Sequence, residues 1–223
     1  MNKITHIAVA KKSYDCLPEQ IRNFINATED EISFWAVYPD NLDKDNLDNG
    51  YWMHSRKMVK IKGKFVWKHG SISLAIGALR WNFRTAYKLG DFKTARECLL
   101  RMMHYCTDVC SIPHLVFKEM DGIHSKFEDD IGKSVFLVTK SLKVSYKPLI
   151  HPNSVYDSAT ALAERIYSEQ KEVILEIYLK GKSITDYQDL KNSIVKECVQ
   201  SCVDFISHVY FDISQEDNIE KEE

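Results

Sequence analysis

Along most of this chain, apolar residues recur at the spacing of one helix face. Between residues 71 and 89, Ile72, Ala75, Ile76, Leu79, Phe83, Ala86 and Tyr87 follow a 3.6-residue period and predict a long amphipathic helix. Gly90 and Asp91 then supply a stop and a fresh N-cap. Ala95, Leu99, Leu100, Met103 and Cys106 carry the same period through 92–109. Shorter helices are read at 17–27, with Pro18 in the opening turn, and at 30–38. Two more long ones are read at 156–180, closed by Gly181, and at 186–210. One stretch departs from the period. Residues 57–67, KMVKIKGKFVW, alternate apolar and basic side chains around Gly63 and predict a small hairpin or an extended loop. With no internal repeat and no linker rich in Pro, Gly or Ser, the pattern predicts an all-α, multi-helix single domain over 1–212. The acidic stretch 213–223 is expected to be a disordered tail.

Composition changes this picture little. With 223 residues, 44% of them hydrophobic and 28% charged, the chain can bury one ordinary core. Thirty Lys and Arg against 32 Asp and Glu leave a net charge of −2, so any basic surface is local. Residues 56–68 offer one: Arg56, Lys57, Lys60, Lys62, Lys64 and Lys68, with no acid and with Phe65 and Trp67 among them. That segment reads either as a solvated face or as a cationic lip for peripheral membrane contact, which would draw a nucleic-acid backbone equally well. No apolar run reaches 18 residues, and Ile7–Ala10 is too short for a signal-peptide core, so a cytoplasmic location is expected. Six cysteines (16, 98, 106, 110, 198 and 202) form no C-x-x-C pair and are expected to be reduced core residues. Phe34 and Trp35 also read as core.

The chemistry lies between residues 104 and 128. His104 and Asp108 are four apart on a predicted helix, so both side chains leave the same face one turn apart. His124 and Glu128 repeat that spacing, and His114, set after Pro113, lies between the two pairs. Imidazole nitrogen with carboxylate oxygen is a donor mixture that zinc accepts readily. One such pair is commonly a surface ion pair; two, with a third histidine between them, suggest a site. His69, His151 and His208 have no acid at ligand spacing and read as surface or capping residues.

The pattern H-x3-D-x5-H followed by H-x3-E resembles the zinc-dependent phospholipase C family and its relatives, the single-strand-specific zinc nucleases. The likeness extends upstream: AVYPD places Asp40 after a helix, His54 follows fourteen residues later, and His104 comes fifty residues after that. It covers residues 6 to 128. The resemblance implies an all-α phospholipase C or zinc nuclease-like bundle with a site for two or three Zn2+ ions in its cleft. Asp40, His54, His104 and Asp108 would hold one zinc, and His114, His124 and Glu128 a second. A third would be held by His6 and the amino terminus of Met1, with Asp108 as bridge. Met1 stands where the family carries a tryptophan released by signal cleavage. The implied reaction is hydrolysis of a phosphate diester by a zinc-bound hydroxide, with Asp40 orienting or deprotonating the water. The expected substrate is a phospholipid headgroup, because only nine residues separate His114 from His124, where the nucleases carry a longer insertion. A single-strand nuclease and a zinc-binding protein without turnover remain the alternatives.

Overall fold

The computed structural model describes residues 1–45, 56–61, 64–70, 72–116 and 122–219, the two strands by their backbone alone. In chain order the elements are α1 (Lys3–Cys16), α2 (Glu19–Ile25), α3 (Glu29–Asp45), β1 (Arg56–Ile61), β2 (Lys64–Gly70), α4 (Ile72–Lys88) and α5 (Phe92–Val109). Then follow α6 (Ile112–Leu115), α7 (His124–Gly132), α8 (Val135–Ser141), α9 (Val155–Leu179), a short 3-10 turn (Ile184–Asp186) and α10 (Gln188–Ile219). No described helix is long and apolar enough to cross a membrane.

Helix α5 runs through the middle, packed against α1, α3, α4 and α10. Its last two turns, Met102 to Val109, are buried on every side. That burial explains why His104 and Asp108 sit inside the protein and not on a solvated face. Asp91 caps the helix as expected, its side chain accepting from Thr94 N at 3.1 Å, and Gly90 makes the preceding turn at φ +73°. Beneath α4, Phe83 is fully buried and contributes roughly 1.5–3 kcal/mol of apolar transfer. The two i, i+4 cysteine pairs meet where α5 packs on α10. Cys202 Sγ donates to the Met103 carbonyl at 3.4 Å and Cys198 Sγ to that of Thr107 at 3.8 Å. All six cysteines are free thiols.

The expected hairpin forms: β1 and β2 pair antiparallel from Arg56↔Gly70 to Ile61↔Lys64, with a shift in register between Lys57 and Met58. Lys62, Gly63 and His54 lie outside the described residues, as do the side chains of the basic lip.

The sequence pattern predicts no element over 3–16, where helix α1 forms without a readable apolar period because its buried face includes Thr5, His6 and Ser13. Three expectations change. Helix α3 does not end at residue 38. It continues through Pro39 to Asp45, since proline removes one hydrogen-bond rung yet is tolerated where packing holds the flanking turns. Asp40 is therefore inside a helix, not after one. Helix α10 runs on to Ile219, with Ile213 fully buried, so residues 213–219 are helical where a disordered tail is expected. Finally, Phe34 is 51% exposed and His208 is buried, the reverse of their expected places.

Candidate metal centre

The cluster is assembled around Asp108, from α1, α3, α5, α6 and α7. It begins with the cap of α1. The Asn2 side-chain oxygen accepts from Thr5 N at 3.0 Å and Thr5 Oγ1 at 2.9 Å, while Asn2 Nδ2 donates to Asp129 Oδ1 at 3.3 Å on α7. Gly132 packs against this side chain so closely that a Cβ there would lie 2.7 Å from Asn2 Nδ2. Clasped this way, residue 2 aims the Met1 amino group inward. The amine lies 2.8 Å from Asp108 Oδ1, 2.8 Å from His114 Nε2 and 2.9 Å from Glu128 Oε1. Burial opposes its charge, yet Asp108 and Glu128 more than offset that, and its pKa is pushed up to about 10.

Two histidines reach Asp108 from its other side. His6 Nε2 lies 3.2 Å from Oδ1, and His104 Nε2 lies 3.1 Å from Oδ2 and 3.5 Å from Asp40 Oδ1. The His104 ring is oriented through its other nitrogen. Nδ1 stands 2.8 Å from the Ala36 carbonyl, which can only accept, so Nδ1 donates there and Nε2 is turned to the carboxylates. His6 is buried; among the described residues its Nδ1 has no hydrogen-bond partner, and its Nε2 faces the Asp108 carboxylate. Burial first, then His104 and the amino terminus, hold its pKa well below the usual histidine range.

On the α6–α7 side, His114 Nε2 is 3.2 Å from Glu128 Oε1 and 3.4 Å from Asp108 Oδ1, and His124 Nε2 is 2.7 Å from Glu128 Oε1. Pro113 opens the single turn of α6 that delivers His114. Burial works to raise the Asp108 carboxyl, but His114, the amino terminus, His104 and His6 together hold it well below the carboxylate range. Glu128 is lowered likewise: burial is opposed by the amino terminus and by hydrogen bonds from His114 and His124.

The structure thus brings together Met1, His6, Asp40, His104, Asp108, His114, His124 and Glu128. Of the nine residues the family resemblance implies, His54 alone lies outside the described residues. His6, Asp40 and His104 each offer one ligand atom within 4.8 Å of the others, as do His114, His124 and Glu128. Donors around a tetrahedral zinc stand about 3.3 Å apart, so both groups fit such an ion with small side-chain adjustments. The Nε2 atoms of His6 and His104, both turned to Asp108, are the donors a metal would engage. Two participants were not apparent from motif spacing: the Ala36 carbonyl, which orients the His104 ring, and Asn2. Only Asn2 carries a local signal, a capping residue three before Thr5.

No family model matches the chain, and no curated protein matches it. Among solved structures it is similar to the alpha-toxin of Clostridium perfringens isolated from avian strain SWCP, with a TM-score of 0.62 and 17% sequence identity. The superposition covers 95% of this chain and 64% of the toxin chain, so the protein spans less than two thirds of that structure's length. An identity that low speaks for fold alone. The chain has the all-α fold it shares with this toxin over nearly its whole length.

Proposed function

We propose that this chain is a zinc-dependent phosphodiesterase that hydrolyses a phospholipid on the glycerol side of its headgroup phosphate, leaving diacylglycerol and a phosphorylated alcohol. The observation that carries the reading is the gathering of Asp40, Asp108, Glu128, four histidines and one amine in one cluster, with the buried His6 and His104 rings both turned to Asp108. His6, Asp40, His104 and Asp108 would hold one region of positive charge, and His114, His124 and Glu128 another. When bound, zinc supplies Lewis acidity toward the non-bridging oxygens and lowers the pKa of a bound water to about 7.

The residues divide the remaining work by burial. Asp108 is closed off and Glu128 nearly so, which suits them to holding cations. The Asp40 side chain is 42% exposed and faces the cluster from its rim, which suits it to orienting the attacking water and taking its proton. The Ala36 carbonyl holds the His104 ring so that Nε2 is presented inward.

A single-strand nuclease needs aromatic surfaces on which bases can stack beside the metals. Among the described residues, Phe34 and Tyr38 of α3 lie two residues on either side of Ala36 and so on the face away from its side chain. The lipid reading is preferred on the short interval between His114 and His124.

Zinc content after dialysis, with turnover of bis-p-nitrophenyl phosphate, tests the proposal. His104→Ala and Asp108→Ala are expected to lose bound zinc and nearly all turnover, and His151→Ala neither. Less than about one zinc per wild-type chain would overturn it. Phosphatidylcholine vesicles against single-stranded DNA then decide the substrate; preferential cleavage of DNA would transfer the site to the nuclease class.

A further inference from the structure

Helix α1 has two working faces. One presents His6 to Asp108. The opposite one carries Ile4, Ala8, Lys11, Lys12 and Asp15 at helical spacing. With Phe136, Thr139 and Lys140 of α8, this second face borders a groove of about 290 Å³. Phe136, 56% exposed, stands in this groove, and Ile4 on the same face of α1 is 50% exposed; Leu137, next to Phe136 and 75% exposed, borders the neighbouring groove between α8 and α10. Phe136 and Leu137 protrude from consecutive positions of the two-turn helix α8, leaving apolar surface in water that a partner would remove.

The charges around the groove indicate what kind. Lys11 is paired with Glu29 at 2.7 Å, whereas Lys12 and Lys140 make no ion pair with a described residue. Asp15 is the acid within the groove, so the rim remains cationic. Ammonium groups without a counter-ion among the described residues, beside protruding aliphatic and aromatic side chains, complement a negatively charged surface that also has an apolar layer, which an anionic bilayer offers. Phe136 and Leu137 would enter the boundary between headgroups and acyl chains, with the lysines at the phosphates.

We propose that the α1–α8 face seats this protein on an anionic bilayer, with the metal cluster held beside the membrane by the helix the two sites share. The role assigned to such seating rests on the phospholipid reading above; the binding itself does not.

Flotation with vesicles of phosphatidylcholine alone, and of phosphatidylcholine mixed with phosphatidylserine, tests the face. Wild-type protein should float with the mixed vesicles and much less with the neutral ones, and salt should weaken the difference. Two double variants, Phe136→Ser with Leu137→Ser and Lys12→Ser with Lys140→Ser, should each lower partitioning about tenfold. Both should keep wild-type zinc content and wild-type turnover of bis-p-nitrophenyl phosphate, which also shows that they fold. Equal flotation of wild type and variants would overturn the proposal, as would equal flotation on the two vesicle types. Sedimentation that shows a wild-type dimer broken by Phe136→Ser with Leu137→Ser, with flotation unchanged, would overturn it in favour of self-association. Absence of zinc or diester turnover in a wild-type protein that still floats would instead sink the enzymatic reading and leave the face standing.

Discussion

The imidazole of His6 lies flat on that of His104, ring centroids 4.0 Å apart and planes 13° from parallel. The stack joins α1 to α5 and turns both Nε2 atoms toward the same carboxylate, at 3.2 and 3.1 Å. Two protonated rings would repel at that separation, and burial together with His104 favours a neutral His6.

A reversal of sign follows. Without metal, the buried Nδ1 of His6 has no hydrogen-bond partner among the described residues, and a buried polar atom left so forfeits about 1–3 kcal/mol. His6→Leu is therefore expected to raise the melting temperature in chelator and to lower it in zinc-containing buffer. Thermal melts under the two conditions check this, and a change of the same sign in both would remove His6 from the ligand set.

The second prediction concerns the Met1 amine, packed between Asp108, His114 and Glu128 at 2.8 to 2.9 Å. Peptide extension before Met1 replaces that amine with an amide, which carries no charge and no free lone pair. The added chain must also pass through a buried site. Such an extension should lower both zinc content and diester turnover, whereas one of equal length after Glu223 should leave them unchanged. Equal zinc in the two proteins would mean that side chains alone hold the metal.

Gly132→Ala should act at a distance on the same amine. Its Cβ would meet Asn2 Nδ2 at 2.7 Å and Oδ1 at 3.1 Å, forcing the cap of α1 to move. Loss of that cap costs about 1 kcal/mol, and the residue that aims Met1 moves with it. Asn2→Ala removes the same contact from the other side. The two changes should therefore be non-additive in a double-mutant cycle read by urea unfolding; simple additivity would mean that Gly132 and Asn2 are not coupled.

Asp204, far from the cluster on α10, makes a pH test. Burial raises its pKa from 3.8 to about 6, although Lys147 N–H at 2.6 Å and Gln200 Nε2 at 2.8 Å favour the charged form. The folded state thus holds this proton more tightly than the unfolded state does. The resulting stabilisation is complete below pH 3.8 and is lost as pH rises through about 6. Asp204→Asn keeps an oxygen for both donors and never ionises. After allowance for partial solvent screening it should gain about 1 kcal/mol over wild type at pH 7, a difference that vanishes near pH 4. Urea melts at the two pH values measure it, and a constant difference would assign the shift to another group.

The amino-acid sequence by itself determined the elements whose faces differ in polarity. The helix expected at 156–180 forms at Val155–Leu179, and that expected at 92–109 forms as Phe92–Val109. In both, an apolar stripe repeats every 3.6 residues and a Gly or an Asp marks an end. The same local rule placed His104 with Asp108, and His124 with Glu128, each pair on one face before any packing is considered. Tertiary structure decided the rest. Helix α1 is invisible to periodicity because Thr5 and His6 point inward, which only the partners gathered around Asp108 make tolerable. Helix α3 continues past Pro39 to Asp45, and α10 runs to Ile219 with Ile213 buried in the core. The Ala36 carbonyl, 68 residues before the ring it orients, left no trace in the sequence at all. Periodicity reports how a segment divides between core and water. It is silent on which distant polar groups make burial of a histidine, an aspartate or a chain terminus affordable, since that depends on atoms brought close only by the completed fold.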